Sequence, residues 1–232
     1  MQNTPGELEE FGETRRIEAF SDGVFAVAIT LLVLGFHVPQ TLLADRDLVQ
    51  WLLDQWPVFF AFVTSFATIG VMWINHHRMF THIKRADTTL LSLNLLLLLL
   101  VVFVPFPTLL VADYIILPGQ HLAALLYSGT YVLLAICFNL LWRYATHKNR
   151  LVGKKADLGA IQDMTSQYRF GPLFYIVTFL LAWISAPLSL ALNLLIALFF
   201  AFPGDKYRFR ADSPSSADSI HDDSDTSGRS SG

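Results

Sequence analysis

Long runs of apolar residues alternate with short polar segments along most of this chain. Six of the runs predict membrane-spanning helices, since each approaches the ~20 residues that cross a ~30 Å hydrocarbon core. These runs cover residues 18–36, 52–75, 89–111, 120–146, 170–185 and 187–203. Pro187 interrupts the last apolar tract, which therefore predicts either two short helices or one kinked helix. The pattern is typical of an all-α integral membrane protein with six transmembrane helices.

Composition supports this class and argues against others. Hydrophobic residues make up 53% of the chain and charged residues only 15%, which is too apolar for an ordinary soluble domain. The basic residues form no broad surface, so we expect no nucleic-acid partner. The sequence contains no GxSxG, Walker or HExxH motif and no paired intramembrane carboxylates, so we predict no enzymatic activity and no catalytic residues. The first apolar run follows the acidic GELEEFGE rather than a basic segment, so we expect it to be retained.

The distribution of Lys and Arg predicts how the chain is oriented. Basic residues gather before the first span, after the second, after the fourth and after the sixth: Arg15, Arg16, Arg78, Lys84, Arg85, Arg143, Lys148, Arg150, Lys154, Lys155, Arg169, Lys206, Arg208 and Arg210. The other loops carry only Arg46. Because cytoplasmic loops carry the excess of positive charge, both termini are predicted to be cytoplasmic.

Three segments follow from these patterns. Residues 1–17 form a predicted cytoplasmic N-terminal segment, and residues 18–204 form one six-helix transmembrane domain. Residues 205–232 are rich in Ser and Asp and have little to bury, which predicts a disordered cytoplasmic tail.

A polar cluster lies at the cytoplasmic mouth of the first span, where Arg16, Ser21 and Asp22 precede an uninterrupted apolar stretch. Ionisable groups so close to a bilayer tend to mark ion pathways or paired polar networks. Further polar and aromatic residues occur at the same predicted end of the second and third spans: Trp73, His76, His77, Arg78 and Asn94. We predict that these side chains form a hydrogen-bonded network that joins the three spans.

The histidines could also act as a pH sensor or as metal ligands. An Asp22–His pair could couple cytoplasmic pH to the position of the first helix, since His titrates near neutrality. Metal binding is not predicted, because His76 and His77 point about 100° apart on a helix and no further Cys or His follows at the spacing of a metal site.

One face of the first span carries Val27, Leu31 and Leu34, with Thr30 beside them. Spacing alone favours a packing face. The Thr30 hydroxyl could solvate an ion or bond back to the carbonyl of Ala26.

The string RxxxFSD, formed by Arg16, Phe20, Ser21 and Asp22 and followed by GVFAVAITLLVL, resembles the first-helix signature of bacterial members of the transmembrane protein 175 family. The animal relative of these proteins is the lysosomal potassium channel. The segment WINHHRMF is similar to the end of that family's second helix, and Asn94 falls where its third helix begins. The resemblance covers roughly residues 12–203.

This resemblance implies a potassium-selective channel of the plasma membrane in which four copies surround a pore lined by the first helix. The family lacks the TVGYG filter of other potassium channels, and this sequence lacks it too. Rings of Val27, Leu31 and Leu34 would form the constriction, and Thr30 would supply a layer of hydroxyls. The implied partners are further copies of the chain, permeant K⁺ and the lipid bilayer, with no metal and no other cofactor.

Two competing functions stay open at this point. One is a proton-coupled transporter or proton-conducting channel in which Asp22, His76 and His77 relay protons; against a carrier, the sequence shows no inverted repeat. The other is a non-conducting membrane adaptor that binds partners through its acidic tail.

Overall fold

Helices account for nearly all of the described chain, so the prediction of an all-α protein is confirmed. The computed structural model describes residues 5–36, 48–153 and 158–201. Within these ranges the helices are α1 (Pro5–Leu31), α2 (Leu48–Asp54), α3 (Trp56–His82), α4 (Thr88–Phe103), α5 (Pro105–Tyr114), α6 (Gln120–Thr146), α7 (Leu158–Leu181) and α8 (Ala186–Ala201). The predicted tail at 205–232 lies outside the described residues.

Four described segments are long and apolar enough to cross a membrane: Gly12–Gly35, Trp56–His82, Thr88–Tyr114 and Gln120–Asn149. The chain is therefore a multi-pass membrane protein. The fourth prediction, 120–146, coincides with α6, whereas the second was too short, because α3 continues to His82. The polar residues after 75 stay helical since several of their side chains find partners on neighbouring helices.

The helical hydrogen bonding of the third span is interrupted where two prolines follow each other closely. Pro105 and Pro107 lack the N–H that a helix interior uses, so the regular hydrogen bonding of α4 stops at Phe103 and α5 begins at Pro105. The carbonyl of Val104 accepts both the backbone N–H of Thr108 at 3.2 Å and its hydroxyl at 2.8 Å. The Val104 carbonyl between the two helices is therefore satisfied inside the bundle.

The last apolar tract forms two helices rather than one kinked helix. A turn at Ala182–Ser185 separates α7 from α8, and Pro187 lies in the first turn of α8, where its missing N–H costs nothing. The Ser189 hydroxyl donates to the carbonyl of Thr178 at 2.8 Å, so the two helices lie side by side.

The helices pack so that α1 contacts α3 and α4, while α6 contacts α4, α5, α7 and α8. Two predicted cytoplasmic loops also join. The backbone N–H groups of Lys84 and Arg85 donate to the carbonyl of Leu151 at 2.8 and 3.2 Å, and Ile83 pairs with Val152 in a single β-bridge. The α3–α4 connection is thereby held against the segment that follows α6.

Candidate functional site

Helix α1 has one packed face and one exposed face. Ser21, Phe25, Ala28 and Leu32 repeat at helical spacing and are almost completely buried against the bundle. The opposite face is apolar but uncovered within the chain, so α1 is a helix whose two faces differ in burial more than in polarity.

The predicted constriction residues lie on or beside this exposed face. Val27 is 53% exposed and Leu34 is 62% exposed. Thr30 is also exposed, whereas Leu31 is half-buried and so lies at the flank of the stripe. Val27 and Leu34 are seven residues apart, or about 10 Å along a helix axis, which would separate them into distinct layers.

The hydroxyl of Thr30 is engaged within its own helix. It donates to the carbonyl of Val27 at 2.9 Å, so the interpretation that it bonds back to Ala26 was wrong by one residue. Thr side chains in helices can reach either the i−3 or the i−4 carbonyl, and the chain tightens to a 3₁₀ turn over Leu32–Gly35. The oxygen lone pairs of Thr30 stay on the exposed face.

At the other end of α1, three buried side chains form what we call the histidine cluster: Ser21, His76 and Asn94. Asn94 Nδ2 donates to Ser21 Oγ at 3.0 Å, and Ser21 Oγ donates to the carbonyl of Ile17 at 2.8 Å. His76 Nε2 lies 2.9 Å from Asn94 Oδ1. Because a carbonyl oxygen only accepts, the proton of this bond resides on His76 Nε2. The cluster is a directional chain that joins α3, α4 and α1.

His76 sits in an aromatic environment. The ring of Phe80 stacks on it with 4.5 Å between centroids, and the ring of Phe25 lies 5.4 Å away. Its Nδ1 atom is buried and has no hydrogen-bond partner among the described residues. A protonated imidazole would bury an unpaired N–H there, so this arrangement suits the neutral ring.

Asp22 and Trp73 make a second link between α1 and α3. Trp73 Nε1 donates to Asp22 Oδ1 at 2.8 Å. Both side chains are partly exposed, so this bond lies outside the buried cluster. This bond restrains the rotation of α1 about its own axis. It does so at a position about one helical turn after Ile17.

Glu18 is a member of the site that sequence reasoning missed. Its Oε1 lies 2.7 Å from His77 Nδ1, with side-chain exposures of 23% for Glu18 and 54% for His77. The His77 ring also stacks on Trp73 with 6.3 Å between centroids. Glu18 and Asp22 are four residues apart on α1, as are Trp73 and His77 on α3, and this matched spacing is the signal that could have found the pair.

Three residues of the predicted hydrogen-bonded network do not take part in it through their side chains. Among the described residues, the side chains of Arg16, Phe20 and Arg78 make no hydrogen bond to the histidine cluster or its two flanking pairs. Arg16 and Phe20 instead line a groove of about 600 Å³ between α1 and the start of α4. Arg78 contributes its main-chain carbonyl, which accepts from the Thr81 hydroxyl at 2.6 Å.

Asp87 positions the helix that carries Asn94. It is the N-cap of α4, where its Oδ1 accepts from the backbone N–H of Leu90 at 2.8 Å. Its Oδ2 accepts from the Tyr144 hydroxyl at 2.6 Å and lies 3.5 Å from Arg150. Partial desolvation opposes ionisation, but these hydrogen bonds and the Arg150 charge together hold the pKa of Asp87 below its usual value.

A second buried group, the hydroxyl cluster, consists of Ser128, Thr178, Ser189 and Asn193 and was not predicted. Asn193 Nδ2 donates to Ser128 Oγ at 3.0 Å, and the hydroxyls of Ser128 and Ser189 are 2.9 Å apart. Thr178 Oγ1 donates to Asn193 Oδ1 at 3.3 Å. The cluster joins α6, α7 and α8. Small polar residues within apolar spans are the signal that indicates such contacts.

Comparisons with known proteins agree with the resemblance. Residues 16–105 match the family model described as endosomal/lysosomal potassium channel TMEM175. A potassium channel of Chamaesiphon minutus is 50% identical over 196 residues, which are 84% of this chain and 97% of that protein. The human endosomal/lysosomal proton channel TMEM175 is 35% identical over 147 residues, which are 60% of this chain and 29% of that protein.

A solved structure is similar along nearly its whole length. The crystal structure of a lysosomal potassium-selective channel TMEM175 homologue from Chamaesiphon minutus superimposes with a TM-score of 0.75 at 48% identity. The alignment covers 82% of this chain and 97% of that chain. The family match at residues 16–105 spans α1, α3 and α4, the three helices that hold the histidine cluster.

Proposed function

This chain belongs to the TMEM175 family of channels, and from that premise we propose that it forms a pore that conducts potassium ions across a membrane. The relative that is 50% identical is named a potassium channel and matches the chain over almost all of its own length. The similar crystal structure is described as potassium-selective. Conduction of K⁺ is therefore the function that relatives and fold both support.

The pore is lined by the exposed face of α1. The observation that carries this assignment is that Val27, Thr30 and Leu34 share an uncovered apolar face, while the opposite face of the same helix is almost completely buried. A narrow apolar neck dewets and so raises the barrier to a hydrated ion. Val27, Leu31 and Leu34 would form the gating layers, and Thr30 would offer oxygen lone pairs between them.

Four copies of the chain enclose this pore as a homotetramer. One α1 helix presents a stripe, not a ring, so a closed cyclic assembly of identical chains is needed to surround an ion. In this proposal each copy contributes six spans, which are the four longer segments and the two helices α7 and α8. An even number of spans and the basic residues of the predicted inner loops support a plasma-membrane channel with both termini in the cytoplasm.

The histidine cluster and its flanking pairs hold α1 in register with the bundle. Ser21 is on the buried face, so its bond with Asn94 fixes which face of α1 points away from α3 and α4. The Asp22–Trp73 and Glu18–His77 pairs make the same connection from the more exposed side. We assign these residues a positioning role and not direct ion contact.

Ion flux in proteoliposomes tests the function. Purified chain, shown to be tetrameric by mass measurement, is reconstituted with a K⁺ gradient and compared with an equal Na⁺ gradient and with protein-free vesicles. Faster electrogenic K⁺ flux supports the proposal. Absence of flux from folded tetramer would contradict it and favour a non-conducting adaptor.

Proton conduction is the second candidate, because the human relative is named a proton channel. The same vesicles carrying a pH-sensitive dye measure it. Proton flux that Asp22→Asn abolishes, while K⁺ flux stays near background, would favour a proton channel. Flux of K⁺ that requires a proton gradient would favour a coupled transporter.

A further inference from the structure

Two residues of the RxxxFSD motif, Arg16 and Phe20, take no part in the bonds that hold α1 against the bundle. Their side chains line the groove between α1 and the start of α4, and they make no hydrogen bond or ion pair within the described part of the chain. Both side chains are exposed, Phe20 by 58%. The positioning role of the motif therefore does not account for them.

Helical geometry places both residues on the face that carries Val27. Each residue turns an α-helix by about 100°, so Phe20, seven residues before Val27, and Arg16, eleven residues before it, both lie within about 20° of it around the axis. Helix α1 is continuous over Pro5–Leu31. Between Phe20 and Val27, a Cβ atom added to Gly23 would meet no atom of another described helix within 4 Å. The exposed face of α1 therefore continues from Val27 to Arg16.

The charged residues on the two sides of α1 differ in their partners. Glu18 and Asp22 face α3, where they pair with His77 and Trp73. Arg16 has no such partner among the described residues. Ionisable groups in membrane segments pair with one another or face a water-filled cavity. The unpaired guanidinium therefore favours contact of this face with water over contact with lipid.

We propose that the ion pathway continues along α1 past Val27, so that Phe20 forms a further apolar layer and Arg16 a ring of positive charge at the cytoplasmic entrance. The inference rests on the proposed function, because only several copies around one pore turn a side chain into a ring. Phe20 lies about 10 Å from Val27 along the helix axis, and Arg16 lies about 6 Å further. Positive charge at the entrance lowers the local concentration of cations. Arg16 thereby limits the entry of K⁺ from the cytoplasm.

Removal of the Arg16 charge tests the proposal. Wild type and Arg16→Gln are recorded in excised inside-out patches while the KCl concentration at the cytoplasmic face is varied. We expect outward K⁺ current per channel to rise about two- to fivefold in Arg16→Gln at about 10 mM KCl. The difference should vanish at about 1 M KCl, because the Debye length falls from about 30 Å to about 3 Å.

Arg15→Gln is the matched control. Arg15 is also exposed, but it lies about 100° away from Arg16 around the helix, so its removal should leave the current unchanged. Equal responses of the two variants, or no response of Arg16→Gln at low salt, would overturn the proposal and leave the proposed function intact. Absence of K⁺ current in the wild type would contradict the proposed function, and this inference with it.

Cysteine modification at Phe20 gives a second test, which also applies if Arg16→Gln does not fold. Cys137 is the only cysteine of the chain and is buried, so an introduced thiol is the accessible one. A positively charged thiol reagent applied to the cytoplasmic face should block most of the K⁺ current of Phe20→Cys. Phe170→Cys is the control and should keep its current, since Phe170 on α7 is 50% exposed and lies outside the proposed pathway. Unchanged current in Phe20→Cys would exclude Phe20 from the pathway.

Discussion

The histidine cluster and the hydroxyl cluster are both built around an asparagine–serine hydrogen bond, but they join different helices and have different surroundings. In each, an asparagine amide donates to a serine hydroxyl at 3.0 Å and three helices are joined. The hydroxyl cluster contains only neutral groups. The histidine cluster includes His76, whose Nδ1 atom has no hydrogen-bond partner in the described part of the chain, and it is flanked by the Asp22–Trp73 and Glu18–His77 pairs.

The difference follows from what each cluster holds. Helices α6 and α7 pack extensively on each other, so the hydroxyl cluster adds to contacts that already exist between them. Helix α1 packs on one face only, because its other face is exposed. The hydrogen bonds near Ser21 and Asp22 therefore contribute more to fixing the orientation of α1. Loss of either cluster should weaken the fold, but only loss of the histidine cluster should alter conduction.

The largest effect is expected from Asn94→Leu. It leaves the His76 Nε2–H without its partner, and an orphaned buried donor costs about 1–3 kcal/mol. It also removes the hydrogen bond that the Ser21 hydroxyl accepts, although that hydroxyl keeps its own bond to the carbonyl of Ile17. We expect a loss of roughly 2–5 kcal/mol in stability, measured by thermal unfolding in detergent, together with altered single-channel conductance in the fraction that folds.

Asn193→Leu is the matched control for this prediction, since Asn193 is equally buried and has the same role in the hydroxyl cluster. It should lose comparable stability and keep wild-type conductance per folded channel. If both variants change conductance alike, the functional distinction between the two clusters is wrong.

Asp87→Asn should have the next largest effect and should act through pH. The pKa of Asp87 is depressed in the folded chain, so its contribution is present above its unfolded value of 3.8 and is lost as the pH falls through the folded pKa. Asn keeps a side-chain oxygen that can cap α4, so the substitution removes the negative charge that strengthens the bonds to Tyr144 and Arg150. Thermal stability of the wild type should therefore fall more steeply than that of Asp87→Asn below about pH 4.

Asp113→Asn is the control for Asp87→Asn, because Asp113 is an exposed carboxylate on α5. It should retain the wild-type pH profile. If thermal stability depended on pH in the same way in Asp87→Asn as in the wild type, Asp87 would not stabilise α4 through its charge.

Serine substitutions compare the two clusters by removing one matched hydrogen bond from each. Ser21→Ala and Ser128→Ala each remove a buried hydroxyl that accepts from an asparagine amide, which costs about 1 kcal/mol. We expect similar shifts in unfolding temperature. Open probability should change in Ser21→Ala alone, and a change confined to Ser128→Ala would reverse the assignment of the two clusters.

The smallest effect is expected from Glu18→Gln. The Glu18–His77 pair is partly exposed, and such pairs contribute about 0–1 kcal/mol. Open probability should shift by no more than about fivefold, and high salt should reduce the difference from wild type. Glu13→Gln, an exposed substitution one turn earlier on α1, should leave open probability unchanged at any salt concentration.

The sequence predicted the parts of the fold that depend on hydropathy. Apolar length located α6 to the residue, because Gly119 and His147 end the run on both sides. The ends of α1 and α3 were less accurate, since polar residues such as Thr81 and His82 stay helical through bonds within the helix that hydropathy does not register.

Side-chain partners were predictable only where charge or a motif marked them. Ser21, His76 and Asn94 were expected to meet, and they do. The hydroxyl cluster was not expected, because a serine or threonine in an apolar span gives no sign of which neighbour it will face. Glu18 was missed since a single carboxylate beside several basic residues is most simply read as a solvated charge.

The central claim is that the exposed face of α1 lines the ion pathway, and one comparison tests it most directly. Val27→Ala and Val63→Ala remove the same two methyl groups from valines that are 53% and 57% exposed, the first on α1 and the second on α3. Single-channel recording of the folded, reconstituted protein should show changed conductance in Val27→Ala and wild-type conductance in Val63→Ala. Wild-type conductance in Val27→Ala, with a change in Val63→Ala, would place the pore on another helix.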